Sequence, residues 1–272
     1  MAVEMKPVIL TQRVEVAPGL IIIRVTPDGW QLPEFSPGQF AVLALPGTAP
    51  RASQADPEEK PPKDAAKLIR RAYSVASSSQ AKSHLEFYVA LVSTGALTPR
   101  LFALEDGDRL WMSSRISGML TLKDVPEDSH IVLVATGTGL APYMSMVRTF
   151  LERDSGRNFA VIHGAYHSWD LGYRDELTML DRLNDTFTYV PTLSHPHEEP
   201  TPWPGHTGFV QSVWRGGLLA EAWGSRPTAD TTHVYLCGNP MMIEDMLSIL
   251  GEEGFTEHSR RNPGTIHVER YW

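Results

Sequence analysis

The sequence predicts two domains, an antiparallel β-barrel over residues 1–125 and an α/β domain with a parallel sheet over residues 126–272. Three observations lead there. Residues 8 to about 123 carry short runs of β-branched and aromatic residues separated by Gly and Pro. From about 129, continuous apolar runs alternate with stretches of helical spacing. Between them, Asp-Val-Pro-Glu-Asp-Ser at 124–129 is polar and broken by proline, as a domain boundary should be.

In the first half, Val8-Ile9-Leu10, Val14-Glu15-Val16, Leu20 to Val25, Gln39 to Leu45, Leu85 to Leu91 and Arg109 to Met112 read as strands, because branched and aromatic side chains fit a half-buried pleated surface. Pro46 to Lys67 crowds Pro, Ala, Asp, Glu and Lys without apolar periodicity, and is expected to be a long, loosely packed loop. Arg71-Ala72-Tyr73-Ser74 follows it and is expected to begin a strand. Gly95 to Leu101 reads as a helix start, with Thr98 capping and Pro99 at the first position.

In the second half, Ile131 to Ala135 is a continuous apolar run of the kind a sheet covered on both faces requires. Tyr143 to Arg153 follows with helical spacing at Met144, Val147, Phe150 and Leu151. The unit recurs: strand Ala160 to His163 with helix Arg174 to Leu183, strand Phe187 to Leu193, and strand Val234 to Cys237 with helix Met241 to Leu250.

The composition excludes several chemistries. A single cysteine, Cys237, permits no internal disulfide, iron–sulfur cluster or four-cysteine zinc site, so redox work would need an organic cofactor. His163, His195, His197 and His206 lack ligand spacing, and no metal is expected. A formal net charge of −8 argues against nucleic acid as a partner. No apolar stretch approaches the ~20 residues of a membrane span, and the start, Met1 to Pro7, lacks a secretory layout; a cytoplasmic monomer is the expectation.

Three segments carry chemistry. Thr136-Gly137-Thr138-Gly139-Leu140-Ala141-Pro142 directly follows the first buried strand. Glycines there let the backbone approach a pyrophosphate, which the next helix attracts through its exposed N–H groups. Pro142 stands where the usual fingerprint has its third glycine, and proline suits a first helical turn. Cys237-Gly238-Asn239-Pro240 ends another strand and is a second crossing point, although Asn239 as N-cap with Pro240 behind it also explains a plain helix start. In the first half, Arg71 can fork onto a phosphate, Tyr73 can stack on a flat ring and Ser74 can reach a ring nitrogen. Taken alone, each segment is also an ordinary strand or turn.

Together, and in this order, they resemble the ferredoxin–NADP reductase family in its bacterial ferredoxin/flavodoxin form, whose chains end in Tyr-Trp as Tyr271-Trp272 does here. The resemblance implies a barrel that binds FAD, a sheet domain that binds NADP or NAD, hydride transfer between nicotinamide and flavin N5, and a ferredoxin or flavodoxin as single-electron partner. It implies a phosphate contact for Arg71, with Ala72 beside it, ring stacking for Tyr73 and a hydrogen bond near N5 for Ser74. Val89, Ala90, Leu91, Leu97, Thr98 and Gly118 fall where the family lines the flavin and its diphosphate. Thr136, Gly137, Thr138, Gly139 and Pro142, with Cys237, Gly238, Asn239 and Pro240, correspond to the two nucleotide turns. Tyr271 would cover the flavin face that nicotinamide must reach, and Trp272 would lie near the adenine. Apart from the resemblance, Glu269 is a carboxylate able to relay a proton near the flavin, although exposed terminal carboxylates are common. The expected catalytic set is Ser74, Cys237, Glu269 and Tyr271.

One departure bears on the nucleotide. Where NADPH-selective bacterial members place arginines for the 2′-phosphate, the aligned positions are Tyr166, His195 and Phe209, none of them a permanent cation. NADH is therefore expected to be accepted at least as well as NADPH, with His167 and Arg174 as nearby groups able to restore a phosphate contact. Two other functions fit the same residues: the NADH-dependent reductase component of an oxygenase system, and a non-catalytic nucleotide-binding subunit.

Overall fold

The computed structural model describes residues 4–59, 64, 66–151 and 156–270. The chain divides into two compact units, Met1–Thr121 with Met144–Thr149, and Leu122–Tyr143 with Phe150–Trp272. Among the described residues no helix is long and apolar enough to cross a membrane.

The first unit is a six-stranded antiparallel sheet built from β1 (Met5–Ala17), β2 (Leu20–Pro27), β3 (Phe40–Pro46), β4 (Leu68–Ser74), β5 (Leu85–Ala90) and β6 (Arg109–Ser113). Its order is β4-β3-β6-β1-β2-β5. A bridge between Val75 and Phe87 and the Ala76 N–H donated to Glu86 O (2.8 Å) bring the two outer strands together, so the sheet closes as a barrel. Val8, Leu10, Ile21, Ile23, Leu43, Leu85, Phe87 and Leu110 fill its interior, contributed by alternate positions of the strands.

Two of the sequence expectations change here. The separate strands at Val8 and Val14 are one strand, β1, with register irregularities at Leu10/Gln12 and Glu15/Ala17 that keep it paired to β2. Arg71 to Ser74 ends β4 rather than beginning a strand, because β4 pairs with β3 from Leu68↔Pro46 to Ser74↔Phe40.

The segment after β3 is also tighter than its composition suggests. Arg51 donates to the carbonyls of Gly95 (2.8 Å), Asp56 (2.8 Å) and Ser93 (3.1 Å). Arg100, in the short helix α1 (Thr98–Phe102), is 2% exposed and forks onto Glu58 at 3.1 and 2.9 Å while also donating to Gly47 O and Ala96 O. Two arginines, Arg100 buried and Arg51 half-buried, substitute for the missing apolar packing.

The second unit is a six-stranded parallel sheet made of β7 (His130–Thr136), β8 (Phe159–Ala165), β9 (Phe187–Leu193), β10 (His206–Thr207), β11 (Thr232–Cys237) and β12 (Ile266–Glu269). The order β10-β9-β8-β7-β11-β12 reverses direction between β7 and β11. Ile131 to Ala135 is completely buried, as its unbroken apolar run requires. Between the strands run α2 (Ala141–Phe150), α3 (Arg174–Leu183), α4 (Val210–Arg215), α5 (Leu218–Trp223) and α6 (Pro240–Glu252).

The Arg100–Glu58 fork makes a direct prediction. Arg100→Ala takes the hydrogen bonds from two backbone carbonyls and from Glu58, which keeps Arg51 at 3.7 Å, and should lower stability by about 2–3 kcal/mol in urea unfolding. The hydrogen bond from Arg100 holds the Glu58 carboxyl below its usual range. Its contribution is therefore present at neutral pH and lost as pH falls through that depressed value. The stability gap between the parent and Glu58→Gln should accordingly shrink as the medium is taken below about pH 4.

Candidate functional site

The strand order fixes where a ligand can sit on the parallel sheet. Chains leaving β7 and β11 turn to opposite sides, opening a crevice at the carboxyl ends of these neighbours. The β7 end continues as a tight 3-10 turn, Gly137–Leu140, into α2, and the β11 end continues through Gly238 and Asn239 into α6. The two turns interlock. Asn239 N–H donates to Thr136 Oγ1 at 2.8 Å. A Cβ on Gly139 would collide with the Cys237 carbonyl and stand 2.7 Å from Gly238 N, and one on Gly238 would collide with Thr136 Oγ1 at a φ of +138°.

What this leaves is a cradle of bare backbone. Gly137, exposed and with nothing within 4 Å of its would-be Cβ, faces open space in front of the turn. Asn239 caps α6, its Oδ1 accepting from Met241 N–H at 2.8 Å, with Pro240 in the first turn. Pro142 sits in the first turn of α2, where no N–H is needed. Backbone donors, close approach and helix starts of this kind fit a pyrophosphate.

Cys237 and Glu269 are paired across β11 and β12, with Sγ 4.0 Å from Glu269 Oε2. Cys237 is fully buried and Glu269 half-buried. Tyr271 and Trp272 lie outside the described residues.

Tyr166 and His195 meet past the ends of β8 and β9, and Phe209 follows β10. His195 N–H donates to Tyr166 O (3.1 Å), and the two rings meet edge-on at 5.1 Å. Gly208 N–H donates to Leu193 O (2.7 Å), which carries Phe209, 64% exposed, to the end of β9. The two nearby cations are already engaged. His167 lies between Asp170 (Nδ1 to Oδ2, 3.2 Å) and Glu198 (Nε2 to Oε2, 2.8 Å), and the Arg174 guanidinium lies 4.7 Å from the centre of the Trp203 ring. The Glu198 hydrogen bond raises the His167 pKa. By contrast, His163 is a core residue, fully buried beside Tyr189 OH (3.1 Å), and burial pushes its pKa down to about 3.

In the barrel unit, Arg71 and Ala72 are exposed on β4 while Tyr73 and Ser74 are half-buried. Tyr73 packs against the barrel core, and burial raises its hydroxyl pKa. Ser74 pairs with Phe40, which bridges Ser117; beside it Gly118 O accepts from Gln39 Nε2 at 3.2 Å. From the Val75–Phe87 bridge, β4 runs back toward Tyr73 as β5 runs forward to Val89 and Ala90. Leu91 follows, bonded through its N–H to Gly19 O. An exposed guanidinium, a ring and a hydroxyl in sequence along one strand fit a phosphate-bearing planar cofactor.

Thr98 does something other than cap. The N-cap of α1 is Leu97, with no side-chain cap bond, and Thr98 Oγ1 turns back to accept from Val92 N–H (3.0 Å) and donate to Val92 O (3.2 Å). Its hydroxyl closes the 92–98 loop because that loop's own backbone groups need a partner.

The pairing of His167 with Glu198 and of Ser168 with Glu199 was not legible in the sequence, since the partners stand 31 residues apart; the clustering of histidines with Glu198 and Glu199 after a strand is the one signal pointing toward it.

Comparison with known proteins agrees with this geometry. The family described as Oxidoreductase NAD-binding domain matches residues 133–247, the span that holds both turns. A flavodoxin/ferredoxin–NADP reductase of Shigella flexneri is 33% identical over 239 residues, covering 88% of each chain. A ferredoxin–NADP reductase of Pseudomonas aeruginosa is 30% identical over 212 residues, covering 74% of this chain and 80% of its own. Among solved structures, a ferredoxin NADP+ reductase from Neisseria gonorrhoeae with bound FAD and NADP superposes with a TM-score of 0.80 over 100% of both chains at 23% identity, which speaks to the fold.

The interlocked turns can be tested at one atom. Gly139→Ala forces the Cys237 carbonyl and the turn apart, at a cost of about 1–3 kcal/mol, and should weaken dinucleotide binding measured by calorimetry. Unchanged stability together with unchanged affinity would show that the close approach is not required.

Proposed function

The chain belongs to the flavodoxin/ferredoxin–NADP reductase family of oxidoreductases, and from that premise we propose that it binds FAD on the barrel and NAD(P)H at the β7/β11 crevice, passing electrons to a ferredoxin or flavodoxin. The observation that carries this reading is the interlock of Thr136–Gly139 with Cys237–Asn239 at the sheet's switch point.

The flavin, when bound, supplies the capacity to take up two electrons as hydride and release them singly. The protein's own residues bind and orient. On β4, Arg71 offers a charged fork to the diphosphate, with Ala72 leaving room beside it, while Tyr73, anchored in the barrel core, presents a ring for stacking. Ser74 offers a hydroxyl to the ring edge, with Ala90, Leu91 and Gly118 lining the rest, while the side chains of Val89 and Leu97 are buried in the barrel core and leave only their backbone to that surface. Thr98 supports this lining by holding the 92–98 loop closed. On the sheet, Thr136, Gly137, Thr138, Gly139 and Pro142 hold the pyrophosphate from one side, and Gly238, Asn239 and Pro240 from the other. Cys237 and Glu269 stand together at the β11 end; the carboxylate is the group able to hold a proton there. Tyr271 and Trp272 complete the proposed set from outside the described residues.

Tyr166, His195 and Phe209 offer no permanent cation to a 2′-phosphate, which supports use of NADH at least as well as NADPH. A monomer acting in the cytoplasm suits such a carrier-facing role, and one cysteine in 272 residues is compatible with a reducing compartment.

The test is steady-state reduction of a ferredoxin and a flavodoxin from the same source, with NADH and NADPH compared. The expected result is reduction of at least one carrier, with kcat/KM for NADH no lower than for NADPH. A preference for NADPH of about a hundredfold, roughly 2.7 kcal/mol, contradicts the nucleotide reading. Colourless protein without NAD(P)H-dependent dye reduction contradicts the whole and favours a non-catalytic nucleotide-binding subunit.

A further inference from the structure

Resting on the reading that the carboxyl ends of β7 to β10 hold the adenosine half of a dinucleotide, we propose that Glu198, positioned by His167, selects the ribose: it accepts an unphosphorylated 2′,3′-diol and excludes a 2′-phosphate. In a doubly wound sheet, the residues just past the second strand meet the ribose, and an acidic side chain there accepts from its hydroxyl. The second strand of this sheet is β8, ending at Ala165, but the first acidic residue beyond it, Asp170, is turned toward the His167 ring.

The acidic group of the β9 loop takes that place. The two loops are stitched together through Ser194 N–H to Ala165 O (3.0 Å) and His195 N–H to Tyr166 O (3.1 Å). His167 then bridges them, Nδ1 to Asp170 at 3.2 Å and Nε2 to Glu198 Oε2 at 2.8 Å. Glu199 is consumed by Ser168, accepting from its N–H and its hydroxyl, both at 2.7 Å. Glu198 is different. Only its Oε2 is taken by His167, its side chain is 51% exposed, and Oε1 lies 3.5 Å from the exposed His197 ring. It is a carboxylate held in direction at one oxygen and presented to solvent at the other.

The charge of the neighbourhood points the same way. Facing this spot are three carboxylates, Asp170, Glu198 and Glu199, with His167, His195, His197 and Arg174 as the groups of opposite sign. Arg174 is drawn over Trp203, and His167 is bracketed by two carboxylates. The hydrogen bond from His167 holds Glu198 below the usual carboxylate range, so it is ionised at neutral pH. An ionised carboxylate accepts from a hydroxyl and repels a phosphate dianion. His167 is a positioning residue: it aims Glu198 without touching the nucleotide itself.

The experiment uses flavin-loaded protein and two nucleotide fragments, 5′-AMP and adenosine 2′,5′-bisphosphate, whose affinities are measured by calorimetry for the parent, Glu198→Gln, Glu198→Arg and Glu198→Asp. Melting temperatures confirm that these exposed substitutions leave the fold intact. The parent should bind 5′-AMP more tightly than the bisphosphate. Glu198→Gln should narrow the gap about tenfold by improving the bisphosphate, a change of ~1.4 kcal/mol. Glu198→Arg should reverse the order, and Glu198→Asp should keep it. Parent protein that binds the bisphosphate as well as 5′-AMP overturns the proposal, as do variants that move both fragments together, which is what mere loosening of the loop would produce. If 5′-AMP and the bisphosphate both fail to bind every form, the adenosine site itself is misplaced and the proposal falls with it.

Discussion

The close approach of two chain turns at the centre of the parallel sheet is the constraint on which the second unit depends. β7 and β11 are paired in register from Thr232↔His130 to Cys237↔Ala135, so their ends arrive at the same level. Only bare backbone at Gly139 and Gly238 lets the turns that follow share that level. The Thr136 hydroxyl then accepts the Asn239 N–H and ties the second turn to the first. Because α2 and α6 both start from these turns, the same contact sets where two helix starts point. The geometry that closes the fold at this edge is thus the geometry that makes it receptive to an anion.

The barrel unit solves a different problem with charge. The segment between β3 and β4 has too few apolar side chains to hold itself by burial, and two arginines take over. Arg51 and Arg100 collect backbone carbonyls that a loop exposes when it has no regular partner, and Glu58 balances their charge. A second ionic centre lies in the same unit, where Glu86, 4% exposed, accepts from Arg24 at 3.0 Å and from Arg148 at 2.7 Å. Buried carboxylates of this kind are tolerable only because each is paired on more than one side.

Legibility in the sequence followed pattern and length. The fully buried run Ile131 to Ala135, the helix Arg174 to Leu183 and the strand Phe187 to Leu193 were readable because their periods are clean. The helices α4 and α5, six residues each, are too short to show an amphipathic period, and β10 is only two residues long. The bounds of β4 are not legible because Arg70, Arg71 and Ala72 are all exposed and give no alternation. The glycine turns were visible as motifs, but their contact joins residues about a hundred positions apart, which no local pattern records. Thr98 has a cap's place in the sequence, directly before Pro99. Its hydroxyl is spent instead on Val92, a partner only the folded loop supplies.

The most direct test of the account is an anaerobic titration of the purified, flavin-loaded protein with NADH, followed through the flavin absorbance. A barrel holding FAD and a crevice holding the dinucleotide predict that the flavin band bleaches as NADH is added and is complete near one equivalent. A flavin spectrum that stays unchanged at saturating NADH and at saturating NADPH would contradict it.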